Sequence, residues 1–155
     1  MTGLVIALVV LVLVIVNGLY VASEFALVGV SRALVDADAE SGDRTARRVQ
    51  SILDDPRQQD RYIAATQLGV TFASLGLGMY GEKNLAGLLM GWFSPLGEAA
   101  WISAHLLASI AAVGVMTIMH VVLGEMVPKS IALANPRAAV QWTVSIGLVT
   151  KVLLL

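Results

Sequence analysis

The sequence contains no cysteine, and charged side chains make up only 14% of its 155 residues. Without cysteine there are no disulfide bonds and no thiolate ligands, so a bound metal ion must be held through oxygen or imidazole. The net charge of −1 argues against a nucleic-acid partner, which would need a basic surface. Apolar residues instead form 57% of the chain, and the mean hydropathy is +0.81. This composition is typical of an integral membrane protein rather than of a soluble domain.

Three long apolar segments predict transmembrane helices, at about residues 3–31, 62–81 and 101–127. Each has roughly the ~20 residues that cross a bilayer. A secretory signal peptide is a poor alternative for the first segment, because no Lys or Arg precedes its apolar run. A fourth apolar stretch, 138–155, either crosses the membrane or lies in the interface as a belt helix, and we favour the belt. The predicted fold class is therefore an all-α integral membrane protein with three transmembrane helices per subunit.

The distribution of basic residues predicts the orientation. Six of the ten Lys and Arg residues lie in segment 32–61, whereas the connection 82–100 contains only Lys83. Because cytoplasmic loops are enriched in Lys and Arg, segment 32–61 is predicted to be cytoplasmic and the N-terminus to lie outside the cell. The same segment predicts short amphipathic juxtamembrane helices, broken at Ser41-Gly42 and Asp55-Pro56. A solvated helical hairpin is favoured there over a dedicated binding surface.

The first predicted span carries polar residues that share one side of the helix. Asn17 and Glu24 are seven residues apart and lie on the same face. Tyr20 and Ser23 extend this face over an arc of about 120° at 100° per residue. Ionisable side chains inside a membrane span are costly and usually mark a functional site.

A second polar stripe lies on the second predicted span, where Gln67, Thr71 and Ser74 recur at helical spacing. The alternative for any single Ser or Thr is a hydroxyl bonded back to its own helix. Counted at about 1.5 Å per residue, Ser74 lies in the membrane interior at a depth comparable with Ser23 and Glu125. Three helices thus offer hard oxygen ligands of the kind that bind Mg²⁺ or Ca²⁺.

The stretch GEMVPKS, 124–130, follows the apolar run of the third span. Pro128 has no amide N–H, and its ring clashes with the carbonyl four residues back, so it is predicted to be a helix breaker that frees the carbonyl of Gly124. Glu125 adds a carboxylate beside that carbonyl. A freed carbonyl and a carboxylate inside a helical bundle predict a cation site. The alternative is a simple proline kink in which Glu125 forms an ion pair with Lys129.

Three sequence motifs resemble the transmembrane domain of the CorC / cyclin M (CNNM) family of magnesium transporters. They are NGLYVASEFALV at 17–28, QLGVTFASLGLG at 67–78 and GEMVPKS at 124–130. They occur in the family's order, and the resemblance covers nearly the whole chain, residues 1–155. Carried over by motif, the metal-site residues are Ser23, Ser74, the Gly124 carbonyl and Glu125, with Asn17 as a second-rank candidate.

The resemblance implies a homodimer in the plasma (inner) membrane that exports Mg²⁺, coupled to Na⁺ entry. The small-residue stripe of Gly69, Ala73 and Gly76 offers a surface for close helix packing in such a dimer. The family's paired cytoplasmic CBS modules and its small C-terminal domain are absent from these 155 residues. Regulation by ATP therefore cannot be predicted from this sequence.

Two other classes of function are open to the sequence. A Mg²⁺-sensing membrane regulator of another channel or transporter would use the same site. An enzyme is not expected, because the two histidines are not in HExxH spacing. His105 and His120 are also too far apart to bind one ion, and we interpret them as packing or interfacial residues.

Overall fold

The computed structural model describes residues 2–93 and 101–154, with side chains for 3–89 and 105–152. All the elements in this part of the chain are helical, which confirms the predicted all-α class. In chain order they are α1 (Thr2–Gly29), α2 (Arg32–Glu40), α3 (Arg44–Asp54), α4 (Pro56–Gly76), the π-helix π1 (Leu77–Glu82), α5 (Lys83–Phe93), α6 (Trp101–Met119), the π-helix π2 (His120–Met126), α7 (Val127–Ala134) and α8 (Pro136–Leu154).

Three helical stretches are long and apolar enough to cross a membrane, as predicted: Gly3–Gly29, Pro56–Leu89 and His105–Ala134. The second and third extend beyond the predicted ranges 62–81 and 101–127. The second is longer because Pro56 begins α4 directly and the helix runs through π1 into α5. The third is longer because helical backbone continues past Pro128 to Ala134. Residues 94–100 lie outside the described residues.

Segment 32–61 folds into a short helix pair and the first turns of α4, with the breaks where the sequence predicts them. Asp43 begins α3, because its carboxylate accepts a hydrogen bond from the Thr45 backbone N–H at 2.7 Å. Asp55 caps α4 in the same way, accepting from the Arg57 backbone N–H at 2.9 Å. The turn between α2 and α3 contains Gly42 at φ 102°, a backbone conformation that favours glycine.

Helix α8 meets the 32–61 segment at both of its ends. Near its start, the Arg137 guanidinium donates to both carboxylate oxygens of Asp38, at 2.8 and 2.5 Å. Near its end, the Lys151 ammonium donates to the side-chain oxygen of Gln58 at 3.5 Å. Helix α8 therefore follows the end of the bundle at which α2 and α3 lie. Within its described residues, α8 is not among the stretches that are long and apolar enough to span.

Two tyrosines pack face-on against glycines of neighbouring helices. A Cβ added to Gly69 of α4 would lie 2.5 Å from the Tyr20 ring of α1, and one added to Gly147 of α8 would lie 2.4 Å from the Tyr62 ring of α4. The Tyr20 hydroxyl also forms a 3.0 Å hydrogen bond with the Thr150 hydroxyl of α8. The small-residue stripe of α4 is therefore used for packing within one chain, against α1.

Candidate cation site

A hydrogen-bonded cluster joins the three spans in the interior of the bundle. The Asn17 amide of α1 donates to the Gly124 carbonyl of π2 at 2.8 Å. The Ser74 hydroxyl of α4 donates to the amide oxygen of Asn17 at 3.2 Å and lies 3.1 Å from His120 Nε2. Asn17 is 1% exposed and Gly124 is buried, whereas Ser74 and His120 are half-buried, so only the Asn17–Gly124 end of the cluster is shielded from the surroundings. The structure thus brings together three of the predicted site residues: Asn17, Ser74 and Gly124.

Donor counting fixes the protons of the cluster. The Ser74 hydroxyl has one hydrogen, which it gives to the Asn17 amide oxygen. His120 must then donate from Nε2 to Ser74, so that nitrogen carries a hydrogen. Each member of the chain His120–Ser74–Asn17–Gly124 has a partner, and the described residues contain no buried side-chain N or O atom without one.

The Gly124 carbonyl is presented by a π-helical turn rather than by a broken helix. π2 spans His120–Met126 and passes directly into α7. Pro128 lies in the first turn of α7, where its missing N–H costs little. Pro128 therefore marks a change from π to α geometry and does not end the helix. π-turns inside α-helices are often found at functional sites.

Glycines allow the close approach of the elements around this turn. A Cβ on Gly124 would lie 3.0 Å from the Asn17 amide nitrogen and 3.0 Å from a ring carbon of His120. One on Gly18 of α1 would lie 2.8 Å from the Pro128 ring. The close approach of α1 to π2 and to the first turn of α7 therefore depends on Gly124 and Gly18, in addition to the hydrogen bond between Asn17 and Gly124.

Glu125 follows Gly124 on π2, but its side chain is exposed. It makes no hydrogen bond or ion pair within the described ranges. Lys129, its alternative partner, instead places its ammonium 4.3 Å from the centre of the Phe25 ring, in a cation–π contact. The proline kink with a Glu125–Lys129 pair is not the arrangement seen here.

Ser23 belongs to a different hydrogen-bonded group, nearer to α8. Its hydroxyl donates to the Thr143 carbonyl at 3.2 Å and lies 2.5 Å from the Tyr62 hydroxyl. Because the only hydrogen of Ser23 goes to Thr143, Tyr62 is the donor in the shorter bond. Ser23 also lies about one-third of a turn around α1 from Asn17, at 100° per residue. The structure therefore does not bring Ser23 to the Asn17 cluster.

His120 is the member of the cluster that sequence reasoning missed, since it was interpreted as a packing or interfacial residue. The available signal was its spacing: His120 precedes Gly124 by four residues and so shares its helix face. On α4, the Thr71 hydroxyl donates to the backbone oxygen of Gln67 at 2.8 Å, which is the alternative foreseen for a single hydroxyl. Of the polar stripe on that helix, only Ser74 joins the cluster.

The chemistry of the cluster suits a hard cation better than a transition metal. It offers an amide oxygen, a hydroxyl and a carbonyl, with a carboxylate on the next residue, and Mg²⁺ and Ca²⁺ prefer such oxygen ligands. No group of three or more His, Cys, Asp or Glu side chains that could hold a metal ion occurs among the residues described. A zinc-type site is therefore not found in this part of the chain.

The fold and the cluster define a multi-pass helical membrane protein with a polar centre between its spans. Residues 8–155 match the Cyclin M transmembrane N-terminal domain, and the chain belongs to this CNNM family. It is 38% identical over 122 residues to UPF0053 protein YhdT of Bacillus subtilis, covering 79% of this chain and 26% of that protein. It is also 36% identical over 126 residues to the uncharacterized protein Rv1841c of Mycobacterium tuberculosis, covering 81% of this chain and 34% of that protein. The chain thus spans about a third or less of these relatives, and no solved structure matches it significantly.

Proposed function

We propose that the chain moves Mg²⁺ across the membrane through the Asn17–Ser74–Gly124 cluster. The observation that carries this proposal is the meeting of three oxygen-bearing groups from three separate spans in the interior of the bundle. Polar groups in the hydrocarbon region are costly, so a cluster of them there favours a pathway or a binding site. The choice of Mg²⁺ rests on the resemblance of the three sequence motifs to the magnesium transporters of the CorC / cyclin M family.

Binding of the ion requires the amide of Asn17 to rotate. In the structure the amide nitrogen donates to the Gly124 carbonyl, which is a position that a cation would need. Turning the amide over places its oxygen beside that carbonyl and its nitrogen beside Ser74. His120 can then accept from the Ser74 hydroxyl only by changing its tautomer or turning its ring. Ion binding therefore replaces the hydrogen bond between Asn17 and the Gly124 carbonyl. Because the cluster offers few ligands, Mg²⁺ keeps part of its water shell.

Glu125 supplies the negative charge of the proposed site, and a second copy of the chain would cover its exposed carboxylate. An exposed carboxylate on a membrane span is expensive when it faces lipid. We propose a homodimer in which the surface that carries Glu125 faces the partner or a water-filled path to the cluster. A small movement of π2 would then bring the carboxylate toward the ion.

The proposed direction of transport rests on the resemblance to the magnesium transporters, and the proposed orientation in the membrane rests on the distribution of arginines. We propose export of Mg²⁺ coupled to Na⁺ entry across the plasma membrane, with segment 32–61 in the cytoplasm, the N-terminus outside and α8 as an interfacial belt. The contacts of α8 with Asp38 and Gln58 support the belt, because they keep both of its ends at the arginine-rich side. A Mg²⁺-sensing regulator that uses the same cluster is the second candidate, and it would bind Mg²⁺ without carrying a flux.

The test is Mg²⁺ binding and Mg²⁺ flux of Glu125→Gln, with Lys129→Gln as the matched charge control. Loss of the carboxylate should weaken Mg²⁺ binding by about tenfold or more, because a charge pair at close range is poorly screened inside the membrane. Lys129→Gln should bind and transport Mg²⁺ like the parent, since Lys129 contacts Phe25 rather than Glu125. Parent-like binding and flux in Glu125→Gln would show that Glu125 does not contribute to the ion site. Binding without flux in the parent protein, with and without a Na⁺ gradient, would favour the regulator.

A further inference from the structure

A groove runs along the bundle from the cluster to Glu82, which lies in π1. A cavity of about 120 Å³ between the second and third spans and an open hollow of about 540 Å³ on the face of the second span are both lined by Ser74, Gly78 and Glu82. Thr117 and His120 line the smaller cavity from the opposite side. The groove thus begins at the Ser74–His120 contact and reaches the last residue of π1. This is the end of the second span remote from α2 and α3, since α4 begins beside α3 at Pro56.

The π-turn aligns the polar residues of this groove. In a regular α-helix, Ser74 and Glu82 would be about 80° apart around the axis, at 100° per residue. A π-turn takes up one extra residue, which removes about 100° and leaves the two side chains nearly in line. Both therefore face the same groove, as the shared cavities show.

The groove is open in its middle, at Gly78, and carries a negative charge at its mouth, at Glu82. A Cβ added to Gly78 would have no other atom within 4 Å, so the absence of a side chain there leaves space. At the mouth, Glu82 is exposed and has neither a hydrogen bond nor an ion pair among the described residues. An unpaired carboxylate at the mouth of a groove with apolar walls concentrates cations there.

We propose that this groove is the route by which the divalent cation moves between the cluster and the Glu82 end of the bundle. Glu82 is the outer station of the route, and Gly78 keeps the middle open. This inference rests on the proposed function, because it assigns a path to the ion that the cluster binds. The ion class is a hydrated divalent cation, attracted by one carboxylate and guided by the hydroxyls of Ser74 and Thr117.

Two substitutions test the route without touching the cluster. Gly78→Leu fills the groove at a position where an added Cβ meets no atom, and it should lose most of the Mg²⁺ flux while Mg²⁺ binding to the purified protein persists. Glu82→Gln should raise the Mg²⁺ concentration for half-maximal flux by about tenfold at low salt, because the focused attraction is lost. Flux is measured with the full-length protein in liposomes, and binding by titration calorimetry with Mg²⁺ alone.

Matched controls separate the groove from general effects. Gly114→Leu places the same side chain at an exposed position on α6 that also has no atom within 4 Å of its Cβ. Lys83→Gln changes the charge of the residue next to Glu82. Both controls should transport Mg²⁺ like the parent.

Four results would each overturn the proposed route, and they differ from the result that would overturn the proposed function. Parent-like flux in Gly78→Leu, a parent-like concentration dependence in Glu82→Gln, or equal effects in the two controls would each overturn the route. So would a loss of Mg²⁺ binding in Gly78→Leu as large as its loss of flux, because the leucine would then act on the cluster itself. Failure of the proposed function shows differently, as an absence of Mg²⁺ binding and of Mg²⁺ flux in the parent protein.

Discussion

The side-chain amide of Asn17 and the backbone carbonyl of Gly124, 107 positions apart in the sequence, are joined by a 2.8 Å hydrogen bond inside the bundle. This bond connects the first span to the π-turn of the third. It also occupies the carbonyl that the proposed ion would need. Folding and ion binding therefore compete for the same oxygen, and substitutions of Asn17 can separate the two.

Asn17→Ala should destabilise the protein, and Asn17→Asp should favour the ion. The alanine leaves the Gly124 carbonyl and the Ser74 hydroxyl without their partner, at a cost of about 1–3 kcal/mol. The aspartate removes the competing N–H and adds a negative charge, so Mg²⁺ affinity should rise. Thermal unfolding with and without Mg²⁺ measures both effects. A Mg²⁺ affinity in Asn17→Asp below that of the parent would contradict the amide exchange.

Ser23→Ala and Tyr62→Phe should lower stability through one shared hydrogen bond and leave Mg²⁺ affinity unchanged. Each removes one partner of the 2.5 Å contact, while the phenylalanine ring keeps the packing of the parent tyrosine against Gly147. In a double-mutant cycle, the summed costs of the two single variants should therefore exceed the cost of the double variant. Weaker Mg²⁺ binding in Ser23→Ala alone would show instead that Ser23 is an ion ligand in another state of the protein.

Gly69→Ala should destabilise the bundle, whereas Gly87→Ala should not. The new methyl group at position 69 would lie 2.5 Å from the Tyr20 ring, and the ring would have to move at a cost of about 1–3 kcal/mol. At position 87 no atom lies within 4 Å, so alanine should stabilise the helix by about 0.5–1 kcal/mol. Thermal unfolding of the two variants in the same detergent is the measurement. Equal melting temperatures would show that Tyr20 does not pack on Gly69 in the membrane.

Single cysteines at Ser41 and Lys83 should label from opposite sides of a sealed vesicle. The parent chain has no cysteine, so each label reports one position. Ser41 lies between α2 and α3, and Lys83 is the first residue of α5, in the part of the second span remote from those two helices. Labelling of both positions by an impermeant reagent from one side would overturn the proposed topology.

The sequence predicts the helical architecture well because apolar length and helix caps are local properties. Asp43 and Asp55 act on backbone groups two or three residues away, so the breaks around α3 follow from neighbouring residues alone. The continuation of helix past Pro128 does not follow in this way. Proline removes one donor, but its ring packs beside Gly18 of α1, a contact between distant parts of the chain that no local pattern contains.

The candidate site is predictable in its residue types but not in its pairings. The spacing places Asn17, Ser74 and Gly124 on inward faces, whereas the rotation of each helix decides which groups meet. Ser23 lies only six residues from Asn17, yet it faces Tyr62 and Thr143 because α8 packs on that side of α1. Contacts between distant parts of the chain set this rotation, and no short pattern contains them.

The two tyrosine–glycine contacts and the Tyr20–Thr150 bond link α1 to α4, α4 to α8 and α8 back to α1. Such a closed ring of contacts determines how the helices respond to a pulling force. When a single molecule is pulled from the bilayer by its C-terminal end, the force on α8 passes to both other helices before any one of them is extracted. The three helices should therefore leave in one large rupture rather than in three successive steps, and opening the ring at Gly147 should divide that rupture.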